Sequence, residues 1–89
     1  MIFRLVASKR FQKKLKVFLL KHPDIELVLE EKLNILQKDP WDKQLKTHKL
    51  SGKLKDFLAC NISYEYRLIF YIEESKVLLL AIGTHDDVY

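Results

Sequence analysis

A chain of 89 residues carries 16 Lys and Arg against 12 Asp and Glu, for a formal net charge of +4; 48% of its residues are apolar, and it has only two Gly and two Pro. This length makes a single domain over 1–89 that buries about 60–65% of the surface its unfolded chain exposes, and the composition excludes a disordered or low-complexity tract. The longest apolar run, 77–82, is too short for a membrane helix, the lone Cys60 excludes an internal disulfide, and no signal-peptide pattern opens the chain; a cytoplasmic protein without a membrane partner is expected.

Segment 2–6 sets Phe3 and Leu5 against Ile2, Arg4 and Val6, which predicts a short N-terminal strand. Ser8 is a candidate N-cap for a helix over 8–21, in which Phe11, Leu15, Phe18 and Leu19 form an apolar stripe and Lys residues fill the rest. His22-Pro23-Asp24 breaks that helix, with Asp24 expected to cap the next. Ile25, Val28, Leu29, Leu33 and Leu36 keep the 3.6-residue period to about Lys38, and Asp39-Pro40 stops it. Residues 39–52 show no clean period and predict an ordered loop anchored by Pro40, Trp41, Leu45 and Leu50. Three strands should follow. Leu54, Leu58, Cys60 and Ile62 alternate in the first, and Leu68, Phe70 and Ile72 alternate in the second. A turn over 73–76 leads into the third, 77–82, which is apolar on both faces and therefore central in the sheet. The expected order is β-α-α-β-β-β, an α+β fold with a two-helix hairpin packed on one face of a mostly antiparallel four-stranded sheet, leaving the other face to a ligand.

The basic residues crowd into two stretches, Lys9 to Lys21 and Lys43 to Lys55. Either is a solvated face or the footprint of a polyanionic partner. The histidines and the cysteine, at 22, 48, 85 and 60, lack the close spacing of a metal site, so no metal or cofactor is expected. The two isolated glycines make no phosphate loop, and no serine sits in a nucleophile-elbow pattern. What remains is a set of imidazoles, cations and an aromatic: His48, Lys53, Lys55, Asp56, Arg67, His85 and Tyr89. Metal-free RNA cleavage needs such groups: a base for the 2′-OH, an acid for the leaving 5′-oxygen, and cations for the phosphate. Histidine titrates near neutrality, Arg67 offers phosphate a bidentate fork, and a terminal aromatic can stack on an unpaired base. Plainer readings stand beside these. His22 reads as a loop residue, Cys60 as a small core hydrophobe, Trp41 as a loop anchor, and Asp56 as either a salt-bridge partner or an orienting group. Pattern alone leaves an enzyme and a nucleic-acid- or protein-binding module equally open.

Three blocks carry a resemblance: Lys46-Thr-His-Lys-Leu-Ser-Gly-Lys-Leu-Lys55, Tyr66-Arg-Leu-Ile-Phe-Tyr71 and Ile82-Gly-Thr-His-Asp-Asp-Val-Tyr89. In this order they resemble the C-terminal half of RelE/YafQ-type toxins of the RelE/ParE toxin–antitoxin superfamily. The resemblance implies an endoribonuclease that cuts mRNA on the ribosome through a 2′,3′-cyclic phosphate, needs no metal, and is neutralised by a cognate antitoxin, through which alone it would reach operator DNA. His85 would then match the general acid, His48 the candidate base, and Tyr89 the aromatic beside the scissile phosphate. Arg67 would match the Arg of the family's Tyr-Arg pair, and Lys53 and Lys55, with Lys49 and Asp56 nearby, would line the RNA path. One departure is plain: YafQ-like members carry a further histidine about where this chain has Cys60 and Asn61. A ParE-like gyrase inhibitor and a catalytically inactive, antitoxin-binding co-repressor remain the alternatives, because fold alone does not settle function.

Overall fold

The computed structural model describes residues 2–50 and 56–84. Strand β1 (Arg4–Ala7) leads into helix α1 (Lys9–Lys21), and helix α2 (Glu26–Lys38) follows; then come β2 (His48–Lys49), β3 (Leu58–Asn61), β4 (Tyr66–Glu73) and β5 (Lys76–Thr84). The sheet has five strands in the order β1-β5-β4-β3-β2. β1 runs parallel to β5, and every other pairing is antiparallel. The expected α+β architecture is present, with one strand more than the four expected. The addition is β2, two residues long, inside the segment expected to be loop; a pair so short is set by its partner strand and leaves no period to read.

Helix α1 begins as expected, with Ser8 Oγ accepting the backbone N–H of Phe11 at 3.1 Å. Ser8→Ala should therefore cost about 1 kcal/mol and lower the melting temperature by roughly 4–8 °C, measurable by calorimetry. Helix α2 departs from expectation at its start: Pro23–Ile25 form a separate 3-10 turn, and the N-cap of α2 is Ile25, without a side-chain bond. Asp24 instead lies within that turn, because Pro23 at its first position starts the 3-10 turn one residue before Asp24.

Alternation places Leu58 and Cys60 of β3, Leu68 and Phe70 of β4, and Val77 and Leu79 of β5 on the face that meets the helices. There they pack with Phe11, Leu29 and Leu36. β5 does sit between two strands, as its two-faced apolarity requires. It carries a bulge opposite Ile69 and Phe70, where Leu80 is the extra residue between the partners Ala81 and Leu79. The loop before β2 is anchored by Pro40 and Leu45, both fully buried. Trp41 is not an anchor, being 51% exposed; the anchoring falls instead to Leu45, in a 3-10 turn over Lys43–Leu45 that Asp42 caps through the backbone N–H of Gln44.

Candidate functional site

The second face of the sheet is ordered by register. Strand pairing puts His48, Ala59, Ile69 and Ala81 in one row across β2, β3, β4 and β5. Asn61, Arg67 and Gly83 make the next row. On the other side of the His48 row, the Phe57 and Tyr71 rings stack at 5.8 Å, in line with Leu78. Ala59 and Ile69 are buried although they lie away from the helix-side core, so the middle of this face is packed and its polar groups sit toward one end.

At that end lies a cleft of about 600 Å³ lined by Arg67, Lys32, Lys46, Asn61, Ser63 and Tyr64, with Gln44 and Ile62 completing the wall. It exists because β2 is so short: the ladder with β3 stops at His48 and Ala59, and beyond it Lys46 stands beside the edge of β3 at Asn61. Lys46 adopts φ 52°, the left-handed conformation that closes the 3-10 turn and aims the chain into β2. Lys32 reaches in from α2, its Nζ donating to the carbonyl of Gln44 at 3.3 Å. Three cations thus converge on one hollow, and among the described residues no carboxylate lines it. Such a site attracts an anion. Tyr64, 96% exposed at the tip between β3 and β4, offers a ring to an aromatic ligand at the cleft's mouth.

His48 faces the same side one row along, on the order of 12 Å from Arg67 by strand spacing and rise. Its Nδ1 lies 3.1 Å from the carbonyl of Lys46. A carbonyl only accepts, so Nδ1 carries the proton and Nε2 is the basic nitrogen of the neutral ring. Of the other expected site residues, Lys49 alternates to the opposite face of β2. Asp56 is exposed in the turn before β3, at the end remote from Arg67, and does not interrupt the strand. Lys53, Lys55, His85 and Tyr89, like Leu54 of the expected strand, lie outside the described residues.

Lys32, Lys46, Asn61 and Tyr64 were not among the expected site residues. Lys32 falls on the polar side of a helix and gives no signal of its own. Tyr64, an aromatic in a turn between two alternating runs, is the one that pattern could have marked. His22 is also more than a loop residue: it is partly buried, and its Nδ1 shares a 3.1 Å hydrogen bond with the hydroxyl of Tyr66. Cys60 is fully buried, and burial pushes its thiol from the ordinary 9.0 up to about 12, with nearby Lys32 opposing the shift. The folded chain therefore holds the proton that the unfolded chain releases, and stability should fall as pH rises from about 9 toward 12. The same burial predicts that Ellman's reagent at pH 8 labels Cys60 only after denaturant is added. Among the described residues no three His, Cys, Asp or Glu side chains come together as metal ligands. No helix among them is long and apolar enough to cross a membrane.

Solved structures share this fold. A copper-bound mutant of a toxin from Helicobacter pylori is 31% identical, with all of both chains covered and a TM-score of 0.77. YafQ in the DinJ–YafQ toxin–antitoxin complex of E. coli is 19% identical, covering 100% of this chain and 99% of that one at a TM-score of 0.79. A YoeB/ParE toxin from Agrobacterium tumefaciens, 13% identical with 93% and 99% covered, reaches 0.78. No match was found among curated proteins. The family model for YafQ, a bacterial toxin of type II toxin–antitoxin systems, matches residues 3–89. Nearly every residue of the chain is inside that match, and the chain belongs to the YafQ family of type II toxins.

Proposed function

We propose that this toxin is a metal-independent endoribonuclease that cuts mRNA at the ribosome and is held inactive by a cognate antitoxin. The observation that carries the reading is the cleft in which Arg67, Lys46 and Lys32 converge, with no carboxylate among the described residues that line it and with Arg67 on the same face of the sheet as His48. Three converging cations suit a phosphodiester, whose negative charge grows in the transition state. His48, with Nε2 as its basic nitrogen, takes the proton from the 2′-OH. The 2′-oxygen attacks phosphorus, the 2′,3′-cyclic phosphate forms, and the leaving 5′-oxygen is protonated by His85. Arg67 holds the non-bridging oxygens through its fork. Tyr89 stacks beside the scissile phosphate, and Lys53 and Lys55 steer the RNA; Lys49, on the opposite face of β2, and Asp56, at the far end of β3, take no part. The further histidine of YafQ-like members is absent here; Asn61, in the row of Arg67, hydrogen-bonds the substrate without giving up a proton.

The antitoxin reading is supported by the E. coli relative, which was solved as a complex with DinJ. A partner of this basic chain should be acidic where the two meet, and operator DNA would be reached only through it. The test is induction of the chain without its antitoxin, followed by primer-extension mapping of mRNA ends. New ends within translated codons, together with growth arrest, are expected. Arrest with intact mRNA and a DNA-damage response would replace this reading with gyrase inhibition, and unaffected growth despite tight antitoxin binding would replace it with an inactive co-repressor.

A further inference from the structure

Tyr66 and Arg67 are consecutive on β4 and so point to opposite faces of the sheet. Arg67 lines the cleft described above, whereas Tyr66 lines a separate hollow of about 310 Å³ on the helix side, between α1 and the paired ends of β4 and β5. Its wall is aromatic. Phe18, His22 and Tyr66 form a closed trio with ring centroids 4.8, 5.0 and 4.9 Å apart, and Tyr66 meets Phe18 edge to face. The hydrogen bond between Tyr66 and His22 fixes the two rings against each other. Lys14 and Lys21 form its basic rim. They are two turns apart on α1, so both project from one side of the helix, about 10 Å apart along its axis. Neither this hollow nor its lysines are used by the cleavage mechanism.

We propose that this hollow is a single-nucleotide site for single-stranded RNA, with one base held against the Phe18–His22–Tyr66 wall and the phosphates on either side of it held by Lys14 and Lys21. The combination of a ring-lined pocket with flanking cations is the one by which proteins grip unpaired nucleotides: stacking tolerates any base, and the cations follow the backbone. The assignment rests on the RNA reading above. Arg67 of the cleft and Gly83 of the hollow's wall are strand partners, so the two sites adjoin across the β4–β5 pair.

The probe is a 2′-O-methyl trinucleotide, which lacks the attacking hydroxyl, titrated into the isotope-labelled full chain and followed by amide chemical shifts. Two groups of shifts are expected, one at Phe18, His22 and Tyr66 and one at Asn61 and Arg67. The double variant Lys14→Gln, Lys21→Gln, which leaves every ring in place, should weaken binding at the first group roughly tenfold or more and leave the second unchanged. The salt dependence at the first group should fall by roughly 0.7 in logarithmic slope for each cation removed. An abasic trinucleotide should shift the cleft group but not the hollow group. Shifts at the cleft alone would overturn this site and leave the cleavage reading intact; shifts at the hollow alone would do the reverse. Equal shifts at the hollow from the abasic probe, or from a polyglutamate peptide, would overturn the assignment by showing that charge without a base suffices.

Discussion

Replacing Arg67 with alanine should slow cleavage of a bound RNA by roughly 10²–10³-fold, the range seen when one preorganised partner of a developing oxyanion is removed. The side chain lies at the end of the sheet's outer face, in the cleft with Lys32 and Lys46, and is no part of the helix-side core. The variant should therefore keep its melting temperature within a few degrees, which separates loss of chemistry from loss of fold. Arg67→Lys should recover part of the rate, because a point charge remains while the planar fork is lost. Single-turnover cleavage with each variant is the measurement. A rate for the alanine variant within a few fold of the parent would remove Arg67 from the phosphate clamp. His85→Ala is the companion experiment: as the proposed general acid, its loss should abolish both growth arrest and new mRNA ends on induction. An alanine variant as toxic as the parent would rule out acid catalysis by that residue.

Phe70→Ala should be strongly destabilising. Phe70 is fully buried on β4, paired with Leu58 on one side and Leu79 on the other, beneath both helices. Emptying such a site removes the transfer energy of the ring and leaves a cavity that a tightly paired strand cannot collapse, at a cost of roughly 3–5 kcal/mol. A domain of this size has only about 4–13 kcal/mol of stability in total. The melting temperature should fall by roughly 15 °C or more, and the denaturation midpoint should fall in step. Leu27→Ala serves as the contrast: that side chain is 79% exposed on α2, and its loss should change stability by no more than about 0.5 kcal/mol. Comparable losses in the two variants would show that the helix-side cluster is not the centre of the fold.

Helix α1, its Ser8 cap, the stop at Lys38, the alternation of β4 and the interior position of β5 follow from period, capping chemistry and two-faced apolarity, all of which act over a few residues. Cys60 likewise carried its fate in its phase: on the apolar side of a strand it became a buried thiol. Arg67 and His48 could be selected because their residue types suit the chemistry and because the three ordered blocks resemble a family. Their shared face could not be read in advance, since it depends on the pairing of His48 with Ala59 and of Arg67 with Asn61.

The two helices, the C-terminal strand pattern and the surplus of positive charge are written in the order of the residues alone. Local sterics, backbone capping and the burial of one apolar stripe per element act along the chain and leave a periodic trace in it. The meeting of Lys32, Lys46 and Arg67 in one cleft, and the closure of His22 on Tyr66, remote in sequence, beside Phe18, arise from the folded arrangement. Those groups come from different elements, and what brings them together is strand register, the brevity of β2 and the seating of the helices on the sheet. None of these has a period of its own.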